Sequence, residues 1–443
     1  MNSIYFKKGL YYIFLSLMAI YIYLSDNYKI ILIAFLVTIL YSMICVKFTL
    51  HHPFVWFLPF YFMYSCSSAV LTWQDVKPFS DNVVFLLKAS WFSMLPLLLI
   101  INTKIGEYHA LKPNKRNNIY FFFIVWGGAL LLNSLSLVSI SLSGFTNKRE
   151  INSNSDQIFS VSLGFSLLIL VFSIILAISI LSKKSYPYKF VIFNLSFMFI
   201  AFLINGERDL FLRVTLISFV LYYTIYKRIK SLYLILIGIV TIFMIPVMHN
   251  LKNFWITKET NKTLSGNWIV DIFSSEFTSA SNNLRIIYEA NLEYKKGETI
   301  IWDILRFFSS DYHSTTQWFN EIFFPEVIAT GGGRGFSFLG EGYLNFGLTG
   351  MLIWMAILGL IIKFLYFYSR KNSLTLLIYI ISMPTFIYIL RADFSNLFSG
   401  VIKQVVIPLF LLYILYWILT QILPNKNRDY LLDTMKGREK VER

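Results

Sequence analysis

Twelve apolar runs, each near the length that crosses a lipid bilayer, constrain this chain more than any motif in it. They cover roughly residues 9–24, 30–50, 54–72, 82–101, 119–141, 158–181, 188–205, 209–225, 231–248, 345–367, 373–390 and 400–421. A hydrocarbon core about 30 Å thick takes about 20 residues of α-helix to cross, and a helix satisfies its own backbone there. The first run is short, and the pair meeting between Asn205 and Arg213 leaves room for a broken or re-entrant element. Only 14% of the residues are charged against 56% hydrophobic, where soluble domains carry about 25% charge. Too few charges are present to coat soluble domains, so the expected fold is an all-α polytopic membrane protein of about 12 transmembrane helices.

A net charge of +15 would suggest nucleic acid as a partner in a polar protein. Here the basic residues gather at alternate ends of the apolar runs. One set holds Lys7 and Lys8, then Lys104, Lys112, Lys115 and Arg116, then Lys183, Lys184 and Lys189, then Lys227, Arg228 and Lys230, then Arg370 and Lys371, then the basic tail. The opposite turns mix acids with bases, as at Asp26 and Lys29, Asp75 and Lys77, or Lys148, Arg149, Glu150 and Asp156. This is the positive-inside pattern and places both termini in the cytoplasm of a multi-pass membrane protein. The charge is a topology signal, and nucleic-acid binding is excluded. Lys7 and Lys8 precede an apolar run without a small-residue cleavage site, so an uncleaved first helix is expected. The two cysteines, Cys45 and Cys66, lie in apolar runs and form no disulfide framework. The histidines have no metal-ligand spacing, and no metal or cofactor site is expected.

Four divisions follow: helices one to nine over 1–248, a large external loop over 249–344, helices ten to twelve over 345–421, and a cytoplasmic tail over 422–443. The loop is too long to lack structure of its own. Residues 281–294 suit a helix with Leu284, Ile287 and Tyr288 on one face and Arg285 four residues before Glu289; residues 299–308 repeat apolar positions at helical spacing. Both are expected to be amphipathic helices over the external mouth.

The same topology brings distant polar residues to one membrane face. Gly206-Glu207-Arg208-Asp209 joins the seventh and eighth runs, with Arg213 one turn on. Asp311-Tyr312-His313 and Trp318 lie in the loop. Gly331-Gly332-Gly333-Arg334-Gly335 precedes Gly340-Glu341-Gly342-Tyr343-Leu344-Asn345-Phe346-Gly347-Leu348-Thr349-Gly350, and Arg391-Ala392-Asp393 follows the eleventh run. Guanidinium groups are always charged and fork-shaped, so Arg208, Arg334 and Arg391 converging on one site would suit phosphate oxygens. The competing reading pairs each with a neighbouring acid as a helix anchor. The glycine run lacks the Lys-Ser/Thr ending of a nucleotide phosphate loop, leaving a flexible site loop or a plain helix-entry turn.

In the order and common face of these motifs, the chain resembles the bacterial Wzy-type oligosaccharide repeat-unit polymerases. The resemblance implies a GT-C-like, metal-independent glycosyltransferase acting on undecaprenyl-diphosphate-linked glycans at the external face of the cytoplasmic membrane. It implies membrane lipids, a flippase and a chain-length-regulating co-polymerase as partners, and no cofactor. The growing glycan would pass to a hydroxyl of the incoming unit as the lipid diphosphate leaves. In that chemistry Arg208, Arg334 and Arg391 clamp the diphosphate, with Arg213 in reserve because Asp209 can neutralise it. Glu341 is the expected base or else a helix cap, and His313 is the alternative base. Tyr312, Trp318, Tyr343 and Asn345 are candidate substrate contacts. Transfer to another acceptor by an O-antigen ligase, or transport by a lipid-linked oligosaccharide flippase, are the alternatives.

Overall fold

A computed structural model describes residues 2–76, 82–102, 119–142, 155–181, 187–205, 208–226, 229–240, 247, 267–274, 277–309, 311–329 and 333–422. Gly206, Glu207, Gly331, Gly332, the tail and most of the basic turns lie outside the described residues.

The described residues are all-α. The first half holds α1 (Asn2–Leu24), α2 (Tyr28–Cys45), α3 (Pro53–Trp56), α4 (Leu58–Trp73), α5 (Val83–Ile101), α6 (Ile119–Leu142), α7 (Ser155–Leu181), α8 (Tyr188–Asn205), α9 (Arg208–Leu221) and α10 (Ser231–Val240). The long inter-span segment forms α11 (Trp268–Phe273), α12 (Phe277–Glu289), α13 (Glu298–Phe308), α14 (Thr315–Phe323) and α15 (Pro325–Ala329). Then come α16 (Phe338–Tyr368), α17 (Ser373–Tyr388), α18 (Phe394–Val401) and α19 (Ile407–Ile422). Among the described residues, seven helical stretches are long and apolar enough to cross a membrane, and five shorter apolar helices occupy the remaining apolar runs of the sequence. This is a polytopic all-α membrane protein.

Apolar side chains on both faces of a helix are what a lipid-facing bundle requires. On α6, Ala129, Leu137 and Ile140 are buried while Leu131, Leu135 and Val138 are exposed. Among such helices close packing and a few polar contacts replace the hydrophobic drive. Gly359 of α16 lies where an added Cβ would stand 3.2 Å from the Leu97 Cα of α5. Trp56 Nε1 donates to the Tyr379 hydroxyl at 3.0 Å, and that hydroxyl donates to the His51 carbonyl at 2.6 Å. The early and late helices are tied by that chain.

The two amphipathic helices expected in the inter-span segment are present, α12 beginning earlier than the sequence suggested. Leu284 and Ile287 are buried, and Arg285 pairs with Glu289 at 3.8 Å. A serine cluster docks α12 onto the bundle: Ser281 Oγ lies 2.8 Å from Ser67 Oγ and 2.6 Å from Ser68 Oγ, while Ser67 donates to the Phe277 carbonyl.

The tenth apolar run begins earlier than expected, because α16 is two helices in series. Phe346 and Gly347 leave helical geometry, Gly347 with φ 62° and ψ −145°. A side chain rarely adopts that conformation. The bend lays Gly342 against Gly350, where a Cβ on Gly350 would come 1.9 Å from the Gly342 carbonyl oxygen. The glycine spacing of the 340–350 motif thus encodes a sharp entry into the membrane helix. Gly350→Ala is expected to destabilise the fold by about 3 kcal/mol or more, since the obstacle is backbone and cannot rotate away. A thermal-unfolding scan checks this; Gly127→Ala, with open space around the Cβ, is the control that leaves the transition in place.

Candidate functional site

Three carboxylates organise the junction between the inter-span segment and the late helices. Asp393 caps α18, its Oδ1 accepting from Asn396 N at 2.9 Å and Asn396 Nδ2 at 2.7 Å, and its Oδ2 accepts from Thr316 N at 2.7 Å. Asp303 reverses the pattern: Oδ1 accepts from Thr315 N at 2.8 Å and Thr315 Oγ1 at 3.1 Å, and Oδ2 from Ser395 N at 2.8 Å. Glu341 accepts from Thr299 Oγ1 at 3.1 Å and from Phe394 N at 2.8 Å. All three residues are fully buried. The N–H groups at the starts of α14 and α18 are therefore shared among acids from α13, α16 and the 391–393 turn. Helix N-termini favour negative charge, and these N–H groups have no partner within their own helices.

Asn345 extends the network. Its Oδ1 accepts from Gly297 N at 2.8 Å, and its Nδ2 donates to Thr299 Oγ1 at 2.7 Å and to the Glu341 carbonyl at 2.9 Å. Glu341 and Asn345, four residues apart, share one helix face, and that face holds the 297–299 turn.

Burial, reinforced by the nearby Asp393 carboxylate, pushes Asp303 up to about 7 despite the N–H groups that favour its ionised form.

Beside this junction lies a cavity of about 320 Å³. Its charged lining is Arg213 and Asp209 from α9, Arg391 after α17, and Lys403; Thr385, Tyr388, Asn396 and Gln404 add polar atoms. Arg213 is buried and committed: Nε donates to Asp209 Oδ2 at 2.6 Å, and Nη1 to Gln404 Oε1 and Thr385 Oγ1. The Arg391 guanidinium sits over the Tyr388 ring, 4.8 Å from its centroid. The Lys403 ammonium makes no hydrogen bond or ion pair among the described residues, and the residue lies in a π-helical turn, Ile402–Val406. Such turns shift side chains out of α-helical register and recur at functional sites. With one acid against three bases, the cavity is cationic.

Of the sequence-derived candidates, Arg391 and Arg213 share this cavity. Arg208 opens α9 next to Asp209, and its side chain lies outside the described residues. Arg334 stands nearby in the chain path, because Phe336 N donates to the Arg391 carbonyl at 2.8 Å; its exposed guanidinium stacks on Phe324 at 4.0 Å. His313 is exposed, with Nδ1 2.8 Å from Glu321 Oε2, and Tyr312 is exposed beside it. Trp318 faces Trp302, whereas Tyr343 packs among Tyr288 and Tyr294. Lys403, Gln404 and Asp303 were not singled out from the sequence. The signal for Lys403 was available, as a lone cation inside the last apolar run. Among the described residues no cluster of His, Cys, Asp and Glu has the makings of a metal site.

A multi-pass helical protein with a cationic cavity where its helix ends meet a folded inter-span segment is suited to an anionic, membrane-bound substrate. The family model described as O-antigen polysaccharide polymerase Wzy matches residues 9–422, and the chain belongs to that family. It polymerises lipid-linked oligosaccharide repeat units at the membrane. No curated protein and no solved structure matches it significantly.

Asp303 gives a signed pH prediction. Its carboxyl titrates near 3.8 when free and about 7 when docked, so the docked state holds the proton more tightly. The stability this contributes is full below the free value and is lost as pH rises through the docked one. Hydrogen exchange of α13 and α14 should therefore quicken between about pH 4 and pH 7 beyond the intrinsic chemical rate. Asp303→Asn should flatten that excess; an unchanged slope would assign the effect elsewhere.

Proposed function

We propose that the cationic cavity holds the diphosphate of an undecaprenyl-linked glycan and stabilises it as a leaving group. The observation carrying this reading is the excess of three bases, Arg213, Arg391 and Lys403, over one acid, Asp209, in the lining of a single cavity. A hydroxyl of the incoming lipid-linked unit attacks the anomeric carbon of the growing glycan's reducing-end sugar. The bond to the diphosphate breaks, its electron pair stays on the phosphate oxygen, and the hydroxyl proton passes to a base. Arg391 and Lys403 neutralise the developing charge, and Arg208 and Arg334 are assigned as further bases of the clamp, a task that needs no metal ion.

His313, oriented by Glu321 and placed just before the capped start of α14, is assigned as the base. Glu341 is assigned a positioning role, because both of its oxygens accept donors that set the start of α18 and the 299 turn. Tyr312 lines the approach of the acceptor; Tyr343 and Asn345 support the loop from beneath.

All twelve apolar segments cross the membrane in this reading, in a GT-C-like arrangement with both termini cytoplasmic and the site on the external face of the inner membrane. The alternating basic turns of the sequence support that orientation. A flippase supplies the substrate, and a chain-length-regulating co-polymerase works alongside.

Purified enzyme with lipid-linked repeat units tests the assignments. Lys403→Gln should lower kcat about 100-fold, and Arg391→Lys, which keeps charge but loses the fork, about tenfold or more. His313→Ala should lower kcat about 100-fold while leaving the unfolding temperature near that of the wild type. Glu341→Gln should lower the unfolding temperature with a smaller loss in rate per folded molecule. Near-normal turnover in both cavity variants would remove the diphosphate from this site; full activity of His313→Ala beside an inactive, folded Glu341→Gln would return the base to Glu341.

A further inference from the structure

We propose that Lys295, Trp302 and Trp318 form a second substrate subsite, one that takes a carboxylate-bearing sugar residue of the glycan. The inference rests on the polymerase reading for the identity of the glycan, but its site is separate from the cavity. Trp302 of α13 and Trp318 of α14 have ring centroids 6.2 Å apart, inclined at 48°. Lys295 Nζ stands 5.5 Å from the first ring centroid and 5.6 Å from the second. All three residues are half-buried. Neither indole N–H has a hydrogen-bond acceptor among the described residues, and the ammonium has no acidic partner there.

The cluster is held rigidly from three directions. Lys295 N donates to the Leu344 carbonyl at 2.9 Å and Lys296 N to the Asn345 carbonyl at 3.1 Å, fixing a turn in which Lys296 and Gly297 have φ 47° and 95°. Trp302 adjoins Asp303, whose contacts with Thr315 and Ser395 set the angle of α13 against α14 and α18. Trp318 N donates to the Ser314 carbonyl at 2.9 Å, one turn after the capped start of α14. A sugar ring offers an apolar C–H face edged by hydroxyl groups, which suits partly exposed indole planes with free N–H donors. The ammonium between the planes, lacking a counter-ion, supplies the attraction for a carboxylate. Both indole N–H groups stay open to solvent at the half-buried rings, where a sugar hydroxyl can replace water.

Saturation-transfer NMR on the full chain in lipid nanodiscs, with a trigalacturonate and the neutral maltotriose as probes, tests the subsite. The acidic trisaccharide should bind in the millimolar range or better, at least about fivefold tighter than the neutral one. Lys295→Gln should equalise the two. Trp302→Leu and Trp318→Leu should each weaken both about tenfold, and the Phe variants at these positions serve if either Leu variant fails to fold. Arg391→Lys should bind both probes as the wild type does. Absence of binding, equal binding of the two probes by the wild type, or wild-type binding by the lysine and tryptophan variants overturns the subsite. Loss of binding in Arg391→Lys also overturns it and moves the sugar to the cavity. Normal turnover in the cavity variants would instead sink the diphosphate assignment while leaving these binding results standing.

Discussion

The shared capping of two helix starts by Asp303, Glu341 and Asp393 is the contact on which the rest of the site depends. Each acid comes from a different part of the chain, and each accepts an N–H at the start of α14 or α18. Removing any one would leave buried N–H groups without partners, which costs about 1–3 kcal/mol for each group. The arrangement fixes α18 relative to α13 and α16. It therefore fixes Asn396 and Ser399 on the cavity wall. Asp393 is at once a helix cap and the residue that anchors the turn carrying Arg391.

Irregular backbone gathers around this junction. The Phe346–Gly347 break, the proline at 384 inside α17 and the π turn carrying Lys403 and Gln404 all depart from regular helix. A regular helix would present Lys403 in another register, and an unbroken α16 would separate Gly342 from Gly350. Local departures of this kind persist where the surrounding packing over-determines them, and they concentrate at working sites. The serine cluster between α12 and α4 and the tight Gly359 contact supply that packing.

Much of the fold was legible because apolar length is a coarse, robust signal: an apolar helix occupies every one of the segments read from the sequence. The amphipathic α12 and α13 were legible from periodicity, and Arg285 and Glu289 pair as their spacing suggested. The site was only partly legible. Arg391 reaches the cavity, and Asp209 neutralises Arg213 as the four-residue spacing implied. Glu341 stood out through its glycine-rich setting, yet those glycines serve a bend and its carboxylate serves the start of α18. Asp303 escaped notice because an acid in an amphipathic helix resembles a solvated face until long-range partners bury it. Lys403 is legible as a lone cation inside the last apolar run, but the π turn that sets its register has no periodic signature in sequence. The Trp302–Trp318 pair is likewise made by tertiary contact, through Asp303 and Thr315.

The central claim is that the capped junction presents Arg391 and Lys403 to a lipid diphosphate. An experimental structure of the full chain bound to undecaprenyl diphosphate tests it most directly. Phosphate oxygens should lie within about 3 Å of the Arg391 guanidinium and the Lys403 ammonium, with α13 and α14 docked on the three carboxylates. A diphosphate bound elsewhere, with the cavity between α9, α17 and α18 empty of it, would contradict the account.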